Sequence, residues 1–170
     1  MWQMTLRQPC IDAIIPMTPK AKGRPRFNRK TGHAYTPSET RKWAGSCAAI
    51  LAQYTPSEPL TGPLVLDVMF VMPRPGYMRK RDRSGYLKHP EGLIWHIQKP
   101  DGDNCLKMIK DVATTVRWWT DDCVVSCGTL LKATAELDGE PRIEIMVSEL
   151  CQTPEEIWQI CKRARNTQAA

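Results

Sequence analysis

The sequence predicts an α+β fold, a two-layer single domain in which helices pack on a mixed β-sheet. The first observation is the order of the patterns, which runs strand, helix, strand, strand, helix, strand, strand, helix. The second is the length of 170 residues, which suffices for one hydrophobic core and is too short for two. The third is the absence of internal repeats. We therefore expect one domain at residues 1–150, followed by a C-terminal helix and tail at residues 151–170.

The first half of the chain holds two predicted strands and one predicted helix. An apolar run predicts a strand within residues 6–15. Thr36, Pro37 and Glu39 form the pattern of a capping box, with the threonine as N-cap and the proline as the first helical residue. Residues 64–72 are almost continuously apolar, which predicts a central strand that is buried on both faces.

The second half of the chain continues with strands on either side of an amphipathic helix. The predicted elements are a short strand at residues 94–97, a helix from Asp101 to about residue 116, a strand at 123–133, a hairpin turn at 137–140 and a strand at 142–147. A second capping box, from Thr153 to Glu156, predicts the start of the C-terminal helix.

The composition indicates an ordinary globular protein of the cytosol. No stretch approaches the roughly 20 apolar residues of a membrane span, and the N-terminus lacks a signal-peptide pattern. The seven cysteines include no CxxC pair and only three histidines accompany them, so a structural zinc site is not expected. We expect the cysteines to be reduced and mostly buried.

Charge is unevenly distributed along the chain, although the net charge is only +6. Residues 17–88 hold 14 lysines and arginines against 4 acidic residues, a surplus of +10, and the remainder holds 10 against 14. This asymmetry fits a protein that binds a polyanion and acts on it, and it also fits an ordinary solvated surface.

Two segments of the basic half are predicted to be irregular loops. Residues 19–30 combine six cations with two prolines, a glycine and one aromatic residue, which favours phosphate contacts over a plain solvated loop. Residues 73–93 form a long insertion that fits a mobile basic flap or a solvated, partly disordered loop. The candidate phosphate-binding residues are Lys20, Lys22, Arg24, Arg26, Arg29, Lys30, Arg79, Lys80 and Arg81.

The acidic residues between Asp101 and Asp122 each have a simple structural explanation when they are taken singly. Asp103 can be the N-cap of the helix, and Lys107 can form an i, i+4 ion pair with it. Asp101 can be a turn residue, and Asp121 with Asp122 can form a loop pair.

The same acids, taken together, indicate a metal site. If the strand that follows the helix returns beside the helix start, then Asp101, Asp103 and Asp122 converge. Three carboxylates at close range need a cation among them, and hard oxygen ligands suit Mg²⁺. Such an ion activates a water molecule in phosphodiester hydrolysis, and Lys107 could neutralise charge on the phosphate.

Two motifs in combination resemble the RusA family of Holliday junction resolvases. The first is Lys-Pro-Asp-Gly-Asp-Asn-Cys-Leu-Lys at residues 99–107, followed by Trp-Thr-Asp-Asp at residues 119–122. The second combines Pro19, Gly-Arg-Pro-Arg at residues 23–26 and Tyr-Thr-Pro at residues 35–37, and resembles the N-terminal segment of that family. The likeness extends from residue 11 to about residue 147.

The resemblance implies a Mg²⁺-dependent endodeoxyribonuclease, with Mn²⁺ as a substitute, that nicks two opposing strands of a four-way DNA junction during recombination and repair. It also implies a homodimer and a bacterial cytoplasmic location, with a phage or prophage gene. Carried over by motif position, the catalytic residues are Asp101, Asp103, Asp122 and Lys107, and Asp121 joins the three acids as a metal ligand. The alternative is a non-catalytic DNA-binding protein, or a nuclease without structural preference, on the same fold.

The chain departs from the family pattern at several positions. Gly102 lies between the two motif acids and is expected to loosen the turn, and Cys105 replaces a large aliphatic residue. Residues 114–117 lack the glycine that is common before the tryptophan. Residues 73–93 and the tail beyond residue 150 are additions. None of these departures removes an acid.

Overall fold

A computed structural model of the protein describes residues 9–167 except 25, 28 and 31, and does not describe the side chains of Arg26 and residues 164–167. The strands are β1 (Ile11–Ile15), β2 (Arg26–Phe27), β3 (Ala34–Tyr35), β4 (Leu64–Met72), β5 (Ile94–Trp95), β6 (Val125–Cys127), β7 (Leu130–Thr134) and β8 (Arg142–Glu149). The α-helices are α1 (Ser38–Leu51), α2 (Gly102–Thr115) and α3 (Pro154–Thr167), and short 3₁₀ turns cover Ala52–Tyr54, Gly76–Arg79 and Asp122–Val124. The predicted α+β class with a mixed sheet is confirmed.

The strand β4 is central, as its apolar run predicts, but its second face is only half-buried at Asp67 and Met69, so the expectation of burial on both faces holds only in part. The sheet order is β1-β8-β4-β7-β5, and β6 pairs with β4 beside β7. Strand β4 runs antiparallel to β8 and parallel to β6 and β7. Alternate β4 residues join the buried cluster that includes Cys47 and Leu51 of α1 and Ile109 of α2. This face of the sheet carries the main core.

Two adjacent tryptophans fix the chain reversal after α2. Trp118 and Trp119 are fully buried, with their rings edge to face and centroids 6.1 Å apart. The Trp118 indole donates to the Leu51 carbonyl at 3.1 Å, and the Trp119 indole donates to the Thr114 hydroxyl at 2.8 Å. The reversal brings the following residues back toward α2.

The strand predicted at residues 123–133 is interrupted, which corrects the sequence prediction. Residues 122–124 form a 3₁₀ turn, and the chain breaks between β6 and β7 at Gly128. A Cβ atom on Gly128, whose φ is +154°, would lie 1.9 Å from the Leu66 carbonyl oxygen. The Asp67 carboxylate accepts the Thr129 N–H at 2.7 Å and so stabilises the break.

The capping box predicted at the start of α3 is confirmed, and the one predicted at the start of α1 is wrong. Thr153 and Glu156 exchange hydrogen bonds at the start of α3, with the Thr153 N–H donating to the Glu156 carboxylate at 2.8 Å. At α1 the N-cap is Pro37, and no side chain caps the helix. The Pro37 carbonyl accepts the N–H groups of Thr40 and Arg41 itself, so Thr36 lies one residue outside the helix start.

The two predicted loops are more regular than expected. Part of residues 19–30 pairs as β2 with β3 in a short antiparallel ladder, so that segment is not wholly irregular. The base of the 73–93 segment is held by Arg74, which is only 6% exposed. Its guanidinium donates to the carbonyl oxygens of Met78, Pro90, Gly92 and Ala135.

All seven cysteines are free thiols, but the expectation that most are buried is wrong. Only Cys47 and Cys105 are buried, and burial raises the pKa of Cys47 to about 12 and that of Cys105 to about 11. Cys10, Cys123 and Cys151 are exposed because they lie at turns and element ends. Within the described residues, no helix combines the length and apolar character needed to span a membrane.

Candidate active site

The helix α2 presents two acids at its start. The helix begins at Gly102, with Asp101 as the N-cap residue and Asp103 in the first turn. The prediction that Asp103 is the N-cap is therefore wrong, because Asp101 has the extended backbone and its carbonyl accepts the Cys105 N–H at 3.2 Å. Both side chains are exposed, and the Asp101 side chain does not cap the helix. The two carboxylates thus lie at the positive end of the helix dipole.

The segment that leads into α2 is attached to the sheet by two side chains. The Lys132 ammonium on β7 donates to the carbonyl oxygens of Gln98 at 2.5 Å and Pro100 at 2.7 Å. The His96 ring lies 2.9 Å from the Thr134 hydroxyl and 3.2 Å from the Lys99 carbonyl oxygen. The Lys99–Pro100 peptide bond is cis. Sequence reasoning missed both side chains, although a lysine inside a predicted strand was an available signal.

Gly102 packs tightly, which corrects the expectation of a loosened turn. A Cβ atom at this position would lie 2.7 Å from the Leu130 side chain on β7. The absence of a side chain therefore lets the first turn of α2 approach the sheet closely.

The 3₁₀ turn that begins at Asp122 returns beside α2. The Asp122 carboxylate lies 3.1 Å from the Lys110 ammonium. The Asp121 carboxylate instead accepts the Cys123 N–H at 2.8 Å, and this hydrogen bond lowers the pKa of Asp121. Lys110 was not predicted as a site residue, although it occupies a charged position on the predicted helix.

Among the described residues, the acids that were predicted to converge do not form a metal site. The Cα atom of Lys110 lies about 10 Å beyond that of Asp103 along the helix axis, because seven residues separate the two. Among the described residues, no group of three or more His, Cys, Asp or Glu side chains is arranged to hold a metal ion. The oxygen donors suit Mg²⁺ in their chemistry, but their placement does not fit it. The ligand set Asp101, Asp103, Asp121 and Asp122 stays a prediction.

Lys107 does not form the ion pair with Asp103 that the spacing permits. Within the described part of the chain, the side chains of Asp101, Asp103 and Lys107 have no hydrogen bond or ion pair. All three are exposed. They are therefore accessible to a ligand at the start of α2.

The first basic segment lies along α2. The Lys22 N–H donates to the Asn104 carbonyl at 3.0 Å, and the Lys22 ammonium forms an ion pair with Asp111. The Lys20 ammonium lies 3.6 Å from the Glu39 carboxylate of α1. Lys20 and Lys22 thus hold the segment against the helices. The predicted residues Arg24, Arg29 and Lys30 are exposed, and the side chain of Arg26 lies outside the described atoms.

The second basic group lies on the 73–93 segment and is also exposed. Arg79 donates to the Leu137 carbonyl at 2.6 Å, and Arg81 donates to the Gly85 carbonyl at 2.9 Å. Lys80 is exposed between them. These contacts connect the segment to the β7–β8 turn and not to α2.

Comparison with known proteins places these residues within one family. Residues 16–148 match the family described as Endodeoxyribonuclease RusA, so the match includes α2 and the 3₁₀ turn at Asp122–Val124 and excludes α3. An uncharacterized protein of Bacillus subtilis (strain 168), YqaN, is 30% identical over 143 residues, which are 83% of this chain and 97% of the relative. The family match confirms the resemblance seen in the two motifs. The chain belongs to the RusA family of endodeoxyribonucleases, enzymes that hydrolyse phosphodiester bonds in DNA.

Proposed function

We propose that the protein resolves four-way DNA junctions by symmetric paired nicking, in recombination and repair. The supporting observation is a family-matched segment in which Asp101 and Asp103 lie exposed at the start of α2 while Asp122 returns to the same helix. Lys107 lies one helical turn after Asp103 and is exposed, so it is suited to neutralise charge on a bound phosphate. The proposed catalytic residues are therefore Asp101, Asp103, Asp122 and Lys107.

The proposed cofactor is Mg²⁺, with Mn²⁺ as a substitute. Carboxylate oxygens are the ligands that these ions prefer, and a bound ion would supply electrostatic stabilisation at the phosphate. The proposed ligands are Asp101, Asp103, Asp121 and Asp122, and Asp121 also holds the 3₁₀ turn through its bond to the Cys123 N–H.

The proposed substrate contacts come from the basic residues of both segments. Arg24, Arg29 and Lys30 are exposed on the first segment, and Arg79, Lys80 and Arg81 are exposed on the second. Such side chains bind phosphates without reading sequence. A two-fold junction calls for two symmetric active sites, so we propose a homodimer. By the same resemblance, we propose a bacterial cytoplasmic setting and a phage or prophage gene.

The central test is the substitution Asp103→Asn in a nicking assay on a four-way junction with Mg²⁺. We expect at least a roughly 100-fold slower reaction, as for the loss of a charged group that stabilises a transition state. Asp138→Asn is the matched control, because Asp138 is an exposed acid in the β7–β8 turn, and it should nick at the wild-type rate. Equal rates for Asp103→Asn and wild type would refute the mechanism.

A second candidate is a DNA-binding protein that has this fold without the chemistry. The pairing of Asp122 with Lys110, away from Asp103, favours it. Junction binding without nicking in either Mg²⁺ or Mn²⁺ would support this candidate. Offering linear duplex, flap and junction substrates together also identifies a nuclease without junction preference, since that enzyme would cut all three.

A further inference from the structure

Three alternate residues of β7 contact the segment that leads into α2. The contacts are those of Leu130 with Gly102, of Lys132 with Gln98 and Pro100, and of Thr134 with His96. Because side chains alternate between the two faces of a strand, all three β7 side chains lie on one face of the sheet. This face carries α2, since Gly102 begins that helix. The segment is therefore held at three points along β7.

The mode of attachment changes along this segment. Strand β5 pairs with β7, and a further backbone bond runs from the His96 N–H to the Lys132 carbonyl at 3.0 Å. Beyond His96 the Lys132 side chain provides the contact, because its ammonium donates to the carbonyl oxygens of Gln98 at 2.5 Å and Pro100 at 2.7 Å. Lys132 thus extends the attachment up to the residue that precedes Asp101.

The Lys132 ammonium holds this backbone without neutralising the nearby acids. It is a charged donor, and hydrogen bonds from charged donors are stronger than those between neutral groups. The ion pairs of the described residues do not include Lys132, although Asp101 directly follows Pro100. The carboxylates of Asp101 and Asp103 therefore stay exposed while the backbone before them is fixed.

The position of the Pro100 carbonyl is passed on to both acids. This carbonyl shares a rigid peptide plane with the backbone nitrogen of Asp101. The Asp101 carbonyl in turn accepts the Cys105 N–H at 3.2 Å, and the Cys105 side chain is fully buried in the core. A shift of the Pro100 carbonyl would therefore move the first turn of α2, which carries Asp103.

We propose that Lys132 is a positioning residue for phosphodiester hydrolysis, because it sets the place of the Asp101 and Asp103 carboxylates through the backbone of residues 98–100. This role rests on the proposed function, since it takes these two acids as catalytic. Reacting groups have to be held close to their productive geometry, and a displacement of about 1 Å can slow a reaction roughly 100-fold. Lys132 acts through the backbone and does not contact the phosphate.

Single-turnover nicking of a four-way junction tests the effect on the reaction. Lys132→Met keeps the length of the side chain and removes its donors, so we expect at least roughly tenfold slower nicking with an unchanged dissociation constant for the junction. Lys132→Arg retains charged donors and should restore part of the rate. Lys162→Met is the matched control, because it removes the same charge from α3, and it should nick at the wild-type rate.

A second control separates positioning from a general loss of stability. Ile143→Val removes a methylene group from a fully buried residue of β8, which lowers the stability of the core. This variant should have a lower thermal midpoint than the wild type. Its nicking rate should equal that of the wild type at a temperature well below that midpoint.

Amide hydrogen exchange reports on the helix start without any reaction. In Lys132→Met we expect at least roughly tenfold faster exchange of the Cys105 N–H, which bonds to the Asp101 carbonyl. Exchange of the Ile109 N–H, farther along α2, should be unchanged. A loss of stability of the whole fold would accelerate exchange at both positions.

Unchanged exchange at Cys105 in Lys132→Met would overturn the proposal, and so would faster exchange there combined with a wild-type nicking rate. An equal loss of rate in Ile143→Val would also overturn it, because the effect would then follow from stability alone. Failure of the proposed function has a different signature. In that case Asp103→Asn nicks at the wild-type rate, while Lys132→Met still shows faster exchange at Cys105.

Discussion

At the residue scale, Lys110 pairs with Asp122, one of the proposed metal ligands. The ammonium lies 3.1 Å from the carboxylate, and both side chains are partly exposed, at 23% and 42%. An ion pair with this exposure stabilises the fold by less than about 1 kcal/mol. Its main effect is therefore on the proposed site, because a divalent ion bound there would have to compete with Lys110 for Asp122.

We predict that Lys110→Gln tightens Mg²⁺ binding about fivefold, since a fixed cation no longer repels the ion. Isothermal titration with Mg²⁺ measures this directly and does not depend on activity. Lys162→Gln, which removes a lysine from α3, should leave the affinity unchanged. Weaker Mg²⁺ binding by Lys110→Gln would show that Lys110 orients Asp122 for the ion and does not compete with it.

Arg117 has a left-handed backbone, with φ of +63°, at the end of α2. The N–H groups of Arg117 and Trp118 bond to the carbonyl oxygens of Thr114 and Ala113, which is the Schellman arrangement that glycine usually completes. This position lies in the run that lacks the family's glycine. Arg117 thus completes this turn with a backbone conformation that is strained for a residue with a Cβ atom.

Arg117→Gly should stabilise the protein by about 0.5–1 kcal/mol, because glycine adopts positive φ without steric cost. Thermal unfolding should show a midpoint about 1–4 °C higher. Arg117→Ala keeps the Cβ atom and serves as the control, with no gain expected. Equal midpoints for the glycine and alanine variants would mean that the backbone of residue 117 is not strained.

At the element scale, the interruption between β6 and β7 sets the position of the acid-bearing turn. Gly128 passes so close to the Leu66 carbonyl that any side chain would collide with backbone atoms of the central strand. The break allows residues 122–124 to form a turn against α2 while β7 continues in the sheet. Strand β4 thus pairs with β6 before the break and with β7 after it.

Gly128→Ala should destabilise the protein by about 2 kcal/mol or more, since the strand has to move to relieve the clash. Gly45→Ala is the opposite case, because Gly45 lies in α1 with open space around it. Alanine there should stabilise the helix by up to about 1 kcal/mol. Urea unfolding of both variants measures the difference, and equal stabilities would contradict the close packing at Gly128.

Patterns within one element were predictable from the sequence, and contacts between distant elements were not. The apolar run of β4 and the periodicity of α2 depend on neighbouring residues, and the structure confirms both. The pairing of Lys110 with Asp122 depends on where the chain returns after Trp119. The bonds from Lys132 to Gln98 and Pro100 join residues more than 30 positions apart. The wrong cap at Thr36 arose because the Pro37 carbonyl can begin the helix alone.

At the scale of the whole molecule, the first basic segment and an acid-lined hollow of the sheet lie on different surfaces. The first basic segment lies along α2, while the lining of the hollow on the opposite face of the sheet includes the acids Asp12, Asp67 and Glu144. This separation directs a polyanion to the side that carries Asp101 and Asp103.

We predict that the double substitution Arg24→Ala and Arg26→Ala weakens junction binding and flattens its salt dependence. Each lost phosphate contact reduces the slope of log K against log salt by about 0.9, so the expected change is about 1.8. Fluorescence anisotropy at a series of salt concentrations measures both quantities. Arg163→Ala on α3 is the control, and an unchanged slope for the double variant would rule out these contacts.

Because Lys132 is hydrogen-bonded to Gln98 and Pro100, the acids of the proposed site differ in how firmly their backbone is held. Asp101 and Asp103 lie at a helix start that is hydrogen-bonded to the central sheet. Asp122 lies on a single 3₁₀ turn that is held mainly by side-chain contacts. A rearrangement that brings the three carboxylates together would therefore move residues 121–124. The start of α2 is the more firmly held part of the proposed site, and the turn is the part that we expect to move.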